Sequence, residues 1–143
     1  MKPIALLLTL FFVHFTASAN ATNTDSIPSI IKGRFTDDYG IKYTINDSLW
    51  TQLPDAKYHI IKWNSKEQYI LVRNDANNPS AGNLFTRIDY MEFSNMEPYK
   101  WGFCLTIFDA TSALEAEKKT TADRKNPKTG CGGFPFSRMK RIK

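Results

Sequence analysis

The chain has 143 residues, with 19 Lys/Arg against 14 Asp/Glu, a formal charge of +5 and 42% hydrophobic residues. That length is enough for one domain with a real core. Two cysteines, two histidines and the absence of a glycine-rich phosphate loop exclude a zinc or other transition-metal centre and a dinucleotide or nucleotide cofactor site.

The chain opens with MKPIALLLTLFFVHFTASAN: one basic residue (Lys2), an apolar run over residues 4–13, and a small-x-small site at Ala17-Ser18-Ala19. This reads as a secretory signal peptide over residues 1–19, cut after Ala19. The run is short for a bilayer and no charged stop-transfer cluster follows it, which argues against an anchor. The expected product is secreted or periplasmic, with no transmembrane segment. It has 124 residues, namely a flexible polar leader over 20–29 and a single β-rich domain over 30–143. Its charge is uneven: residues 123–143 carry seven basic residues and one acidic residue, whereas residues 20–122 carry 11 and 13.

Short strand-like runs follow one another. IIKGRFT leads through the turn DDYG into IKYTI, where Ile41, Tyr43 and Ile45 alternate with Lys42 and Thr44. NDS then turns the chain into LWTQL, ended by Pro54-Asp55. KYHIIKW and QYILVRN flank NSKE as a hairpin, and after the loop DANNPSAGN come LFTRIDYMEF and YKWGFCLTIFDA. SALE at 112–115 has capping-box spacing and predicts one helix of about ten residues. The fold class is mainly β: an antiparallel up-and-down meander or barrel of about seven to eight strands with one short C-terminal helix. An open sandwich is the alternative.

Cys104 lies in a strand and Cys131 in TGCGG. An even count in an oxidising compartment makes one disulfide the default, closing a loop for which chain entropy suggests roughly 3–3.5 kcal/mol. Free thiols or an intermolecular bridge stay open. With the bridge formed, the C-terminal tail is pinned to the sheet, and its basic end SRMKRIK reads as a solvated run.

Gly33-Arg34-Phe35 at the first strand resembles the Gly-x-Trp motif of the lipocalins and calycins, with Phe35 in place of the tryptophan. Ile88-Asp89-Tyr90 is similar to their later Thr-Asp-Tyr motif. The resemblance implies an eight-stranded barrel with an apolar pocket, and a late arginine, Arg138 or Arg141, covering the barrel base.

Candidate chemistry is sparse. His59, the one histidine left after the signal, sits in a strand among apolar residues and reads as a strand-face residue. Asp37-Asp38 reads as turn chemistry, and Asp75, Asn77 and Asn78 lack EF-hand spacing. Asp89 and Glu92 fall on opposite strand faces, against an acid/base pair. No enzymatic activity, metal or cofactor is expected. In LFTRIDYMEF, one face carries Arg87 beside Asp89 between apolar ends. Turned toward a lumen, that pair would select a polar or anionic group of a small, largely apolar ligand. Arg73 is a second cation in an apolar strand, and Trp50, Trp63 and Trp101 are candidate pocket aromatics. The other reading is a secreted interaction or inhibitor module that meets an anionic surface through Arg138, Lys140, Arg141 and Lys143. The strand aromatics alternate mainly with apolar or neutral residues, so no specific nucleic-acid surface is expected.

Overall fold

The computed structural model describes residues 26–119 and 122–143. The expected signal peptide and most of the leader lie outside them. Eight strands follow in chain order: β1 (Gly33–Thr36), β2 (Lys42–Ile45), β3 (Leu49–Gln52), β4 (Ala56–Asn64), β5 (Tyr69–Asn74), β6 (Phe85–Glu92), β7 (Tyr99–Ala110) and β8 (Ser137–Arg141). One helix, α1 (Ala113–Lys118), lies between β7 and β8. Each strand pairs antiparallel with its neighbour in sequence, and β8 returns to β1 through Phe35↔Arg141 and Thr36↔Lys140, closing the barrel. Closure pairs both sides of every described strand, leaving no sheet edge open among the described residues.

The alternation that marked β2 holds around the wall. Phe35, Tyr43, Ile45, Trp50, Ile70, Val72, Ile88, Tyr90, Trp101, Phe103 and Met139 point inward and form one buried cluster. The rings meet edge to face, as aromatic quadrupoles favour: Trp50 and Trp101 lie 5.9 Å apart, and Trp50 and Phe103 5.1 Å.

The base of the barrel is covered by the turn at Pro28–Ile31, where Ile31 N–H donates to Pro28 O. Arg141 lies with its guanidinium 4.7 Å from the Phe35 ring centre and donates to the carbonyls of Ser29 and Ile30. Gly33 makes room for it. This residue has φ +127°, and a β-carbon there would sit 2.2 Å from Arg141 Nη1.

A second apolar layer lies outside the wall. α1 places the buried Ala116 against Tyr69, Leu71, Ile107 and Ala110 of β5 and β7. Ser112 Oγ accepts from Glu115 N–H as the N-cap, and the Glu115 carboxylate reaches back to Thr111 N–H. The helix is six residues long, shorter than its pattern suggested, because Lys119 is already extended at φ −90°, ψ 119°. The basic run SRMKRIK is no solvated tail: Ser137–Arg141 is the strand that closes the barrel.

Candidate functional site

β1 and β2 are joined by a turn built on one carboxylate. Asp37 Oδ1 accepts from the N–H groups of Tyr39 and Ile41, both at 2.9 Å, and Oδ2 accepts from the Tyr43 hydroxyl at 2.9 Å. Desolvation, then the bond to Asp37, pushes the Tyr43 phenol well above its usual range, so it remains a proton donor. The turn reading of Asp37 was sound, and its consequence is positional: Tyr39 is held outward, 71% exposed.

Across the opening stands the cystine loop. Cys104 and Cys131 are bonded, with Cα atoms 5.5 Å apart. Cys131 N–H donates to Phe134 O, and Phe134 N–H donates to Cys131 O. Gly132 and Gly133 between them have φ +60° and +94°. A two-residue turn with positive φ at both centres needs glycines in this way. It presents Phe134 to solvent, 73% exposed.

Between these two lips the barrel opens into a depression of about 400 Å³. Tyr43 and Phe103, which belong to the lumen cluster, form its floor, and Tyr39, Ile41, Leu105, Phe134 and Pro135 its walls. Gln52 and Ser137 are its hydrogen-bonding side chains besides Asp37 and the tyrosines. A second depression of about 430 Å³ adjoins it across Tyr39 and Pro135, lined by Phe93, Met96 and Phe136, with Lys128 and Arg138 among its polar residues. Arg138 there is held by Asp38 through Nε at 3.0 Å and lies over the Tyr99 ring.

The six residues expected to line one pocket occupy four places. Trp50 and Trp101 pack within the lumen, 1% and 0% exposed. Trp63 pairs with Ile70 toward the other end, its ring 6.4 Å from Tyr90. Arg73 lies on the outer wall beside His59. Arg87 and Asp89 are also outside the lumen, because β6 turns Ile88 and Tyr90 inward, and α1 together with Arg124 buries the opposite face. The apolar ends of that face mark this outer layer, not a ligand chamber.

Arg87 and Asp89 are nonetheless a pair. Asp89 accepts from Arg87 Nε and Nη2 at 2.9 and 3.0 Å, from Arg124 Nη2 at 2.9 Å and from Thr106 Oγ1 at 2.7 Å. Arg87 also stacks on the Tyr69 ring at 4.0 Å. Arg124 reaches the carbonyls of Gln68 and Tyr90, so the cluster ties the α1–β8 connection to the wall.

His59 is half-exposed and bonds Asp75 Oδ2 through Nε2 at 2.8 Å. The Asn77 N–H, then His59, lower the Asp75 carboxyl to about 2. The depression beside them, about 310 Å³, has no serine, threonine or cysteine in its lining, so the pair has no nucleophile to activate there. Among the described residues no group of three or more His, Cys, Asp or Glu could hold a metal, and no helix is long and apolar enough to cross a membrane.

Of the four basic residues expected to face an anionic surface, Arg138 is paired with Asp38 and Arg141 is bound at the barrel base. Sequence reasoning missed Tyr39, Leu105 and Phe134 as site residues. They lie in or beside turns and a strand irregularity, where periodicity carries no signal; the GG after Cys131 was the one available cue.

The fold is a closed eight-stranded antiparallel barrel. No family model matches the chain, and no curated protein or solved structure matches it.

Proposed function

We propose that this protein is a non-enzymatic binder of a small, largely apolar ligand, acting outside the cytoplasm and seating that ligand at the open end of its barrel. The observation that carries the reading is the mouth itself. Tyr39 and Phe134, both more than 70% exposed, face each other across a floor of lumen aromatics. Covering one such ring removes on the order of 100 Å² of apolar surface, about 2.5 kcal/mol before the costs of association. Gln52 and Ser137 supply an amide and a hydroxyl to orient a polar end. Because Trp50 and Trp101 fill the space below, the ligand sits at the mouth rather than deep within the lumen.

The lipocalin-like reading of the barrel belongs to the same proposal. It draws support from Arg141 lying over Phe35 beside Gly33, at the first strand and the covered base.

Native mass spectrometry of the oxidised protein from its own host tests the reading. The expected spectrum contains extra mass that leaves on gentle activation. In parallel, an apolar fluorescent probe titrated into wild type, Tyr39→Ser and Phe134→Ala should bind about tenfold more weakly to each variant. Both side chains are exposed, so folding is spared. An apoprotein mass together with probe binding indifferent to both substitutions would sink the proposal.

A further inference from the structure

Half of the barrel wall carries basic residues with no acid on the same strands. Strands β1, β2, β3 and β8 hold Arg34, Lys42, Arg138, Lys140 and Arg141 and not one Asp or Glu. The other half of the wall mixes the signs, with Asp89, Glu92 and Asp109 beside Lys57, Lys62, Arg73, Arg87 and Lys100 on its strands.

The register assembles the cations. Lys140 pairs with Thr36, which pairs with Lys42, so these two lysines lie in one row, two strand spacings or about 10 Å apart. In the neighbouring row Arg34 pairs with Thr44, Thr44 with Thr51, and Thr51 with Lys57, three spacings or about 14 Å in all. Each of these residues alternates with a lumen side chain or pairs with one that does, so both rows face outward. Arg34, Lys42, Lys57 and Lys140 are exposed. None of them has an ion pair among the described residues, whereas Arg138 on the same wall is paired with Asp38. What sets them apart from Lys66, Lys118, Lys125 and Lys128, also without an ion pair among the described residues, is that the register gathers them on one face. Threonine hydroxyls fill the positions between them.

We propose that this outer wall, β8–β1–β2–β3 with the first turn of residues in β4, is a docking face for a linear anionic polysaccharide. Four uncompensated cations spread over two rows fit charges strung along a chain rather than one compact ion. Thr36, Thr44 and Thr51 offer hydrogen bonds to the sugar hydroxyls between those charges. The two rows present no aromatic ring to stack a base. The exposed rings Tyr39 and Phe134 are at the mouth and Phe108 is on β7, and the apolar residue beside the rows is the half-exposed Leu53 next to Lys42. This face is independent of the mouth, and its occupant need not be the mouth's ligand.

The test uses the full mature chain and heparin as the probe, followed by calorimetry across a salt series. Arg34→Glu/Lys42→Glu/Lys140→Glu removes three of the four cations at exposed positions and leaves β8 in place. The expected result is a loss of at least about tenfold in affinity near 0.1 M salt, with the log–log salt slope falling by roughly three. A charge-matched control, Lys66→Glu/Lys118→Glu/Lys125→Glu, should retain most of the binding. An equal loss in the control, or no heparin binding by wild type, overturns the proposal. Tighter binding to phosphatidylglycerol vesicles or to duplex DNA than to heparin overturns the choice of polysaccharide. Circular dichroism of each variant identifies any that fails to fold, and Lys42→Gln/Lys140→Gln then replaces it with a smaller expected loss in the same direction.

Discussion

Asp89 is fully buried, and its carboxylate is met by two guanidinium groups and a threonine hydroxyl. Removing the charge while keeping the shape leaves Arg87 and Arg124 facing each other without an anion. Breaking such a buried network costs about 3–5 kcal/mol. Asp89→Asn should therefore lower the urea midpoint sharply, and a variant within about 0.5 kcal/mol of wild type would show that the cluster is dispensable. Asp75 acts at the surface and in acid. Its folded-state carboxyl is lowered to about 2 from an ordinary 3.8, so the stability it contributes is fully present above about pH 4 and is lost as pH falls toward 2. Urea midpoints of wild type and Asp75→Asn should differ at pH 5 and converge near pH 2. A constant gap across that range would remove Asp75 from the acid response.

At the scale of elements, β8 carries the most weight for its length. Five residues close the barrel by pairing with β7 on one side and β1 on the other. Deleting residues 137–143 should expose two unpaired edges and yield an aggregating chain, seen by light scattering. Lys140→Gln/Lys143→Gln should keep the wild-type scattering and melting temperature. A soluble, cooperative truncation would mean that β8 is an accessory strand. The sequence pattern did not identify this strand because the face it shares with Met139 holds Ser137 and Arg141: one apolar residue between a serine and an arginine gives no alternation to read. β2 was legible because Tyr43 and Ile45 both point inward and Lys42 and Thr44 both point out. The face of β6 was misjudged for a third reason. An outer layer of α1 and Arg124 makes both sides of that strand buried, and a pattern of period two cannot say which side is the lumen.

At the scale of the whole molecule, the mainly β meander, its one helix and the cystine were available from turn residues and from two cysteines in a short chain. The mouth was not, because its residues come from four separate regions that only barrel closure brings together. The cystine closes a loop over a sequence separation of 27, worth roughly 3.5 kcal/mol by chain entropy. Cys104→Ala/Cys131→Ala should lower stability by about that amount while the far-UV spectrum keeps its β signature, and an unchanged melting temperature would contradict the loop-closure argument.

That same bond makes the mouth a conditional object. Cys104 and Cys131 both line the opening, and Phe134 is carried on a turn anchored at Cys131 on one side and at β8 on the other. With the sulfurs apart, the barrel keeps its hydrogen-bonded wall, but this lip is left with non-covalent ties alone, the Ala122–Cys131 β-bridge and the Asp123 N–H and Phe136 N–H bonds to Gly130 and Pro127. On the proposed function, the protein would then have its fold without its grip, and reducing surroundings would favour the unloaded state. Probe affinity measured against a dithiothreitol series, with circular dichroism recorded alongside, should fall well before the β signal does.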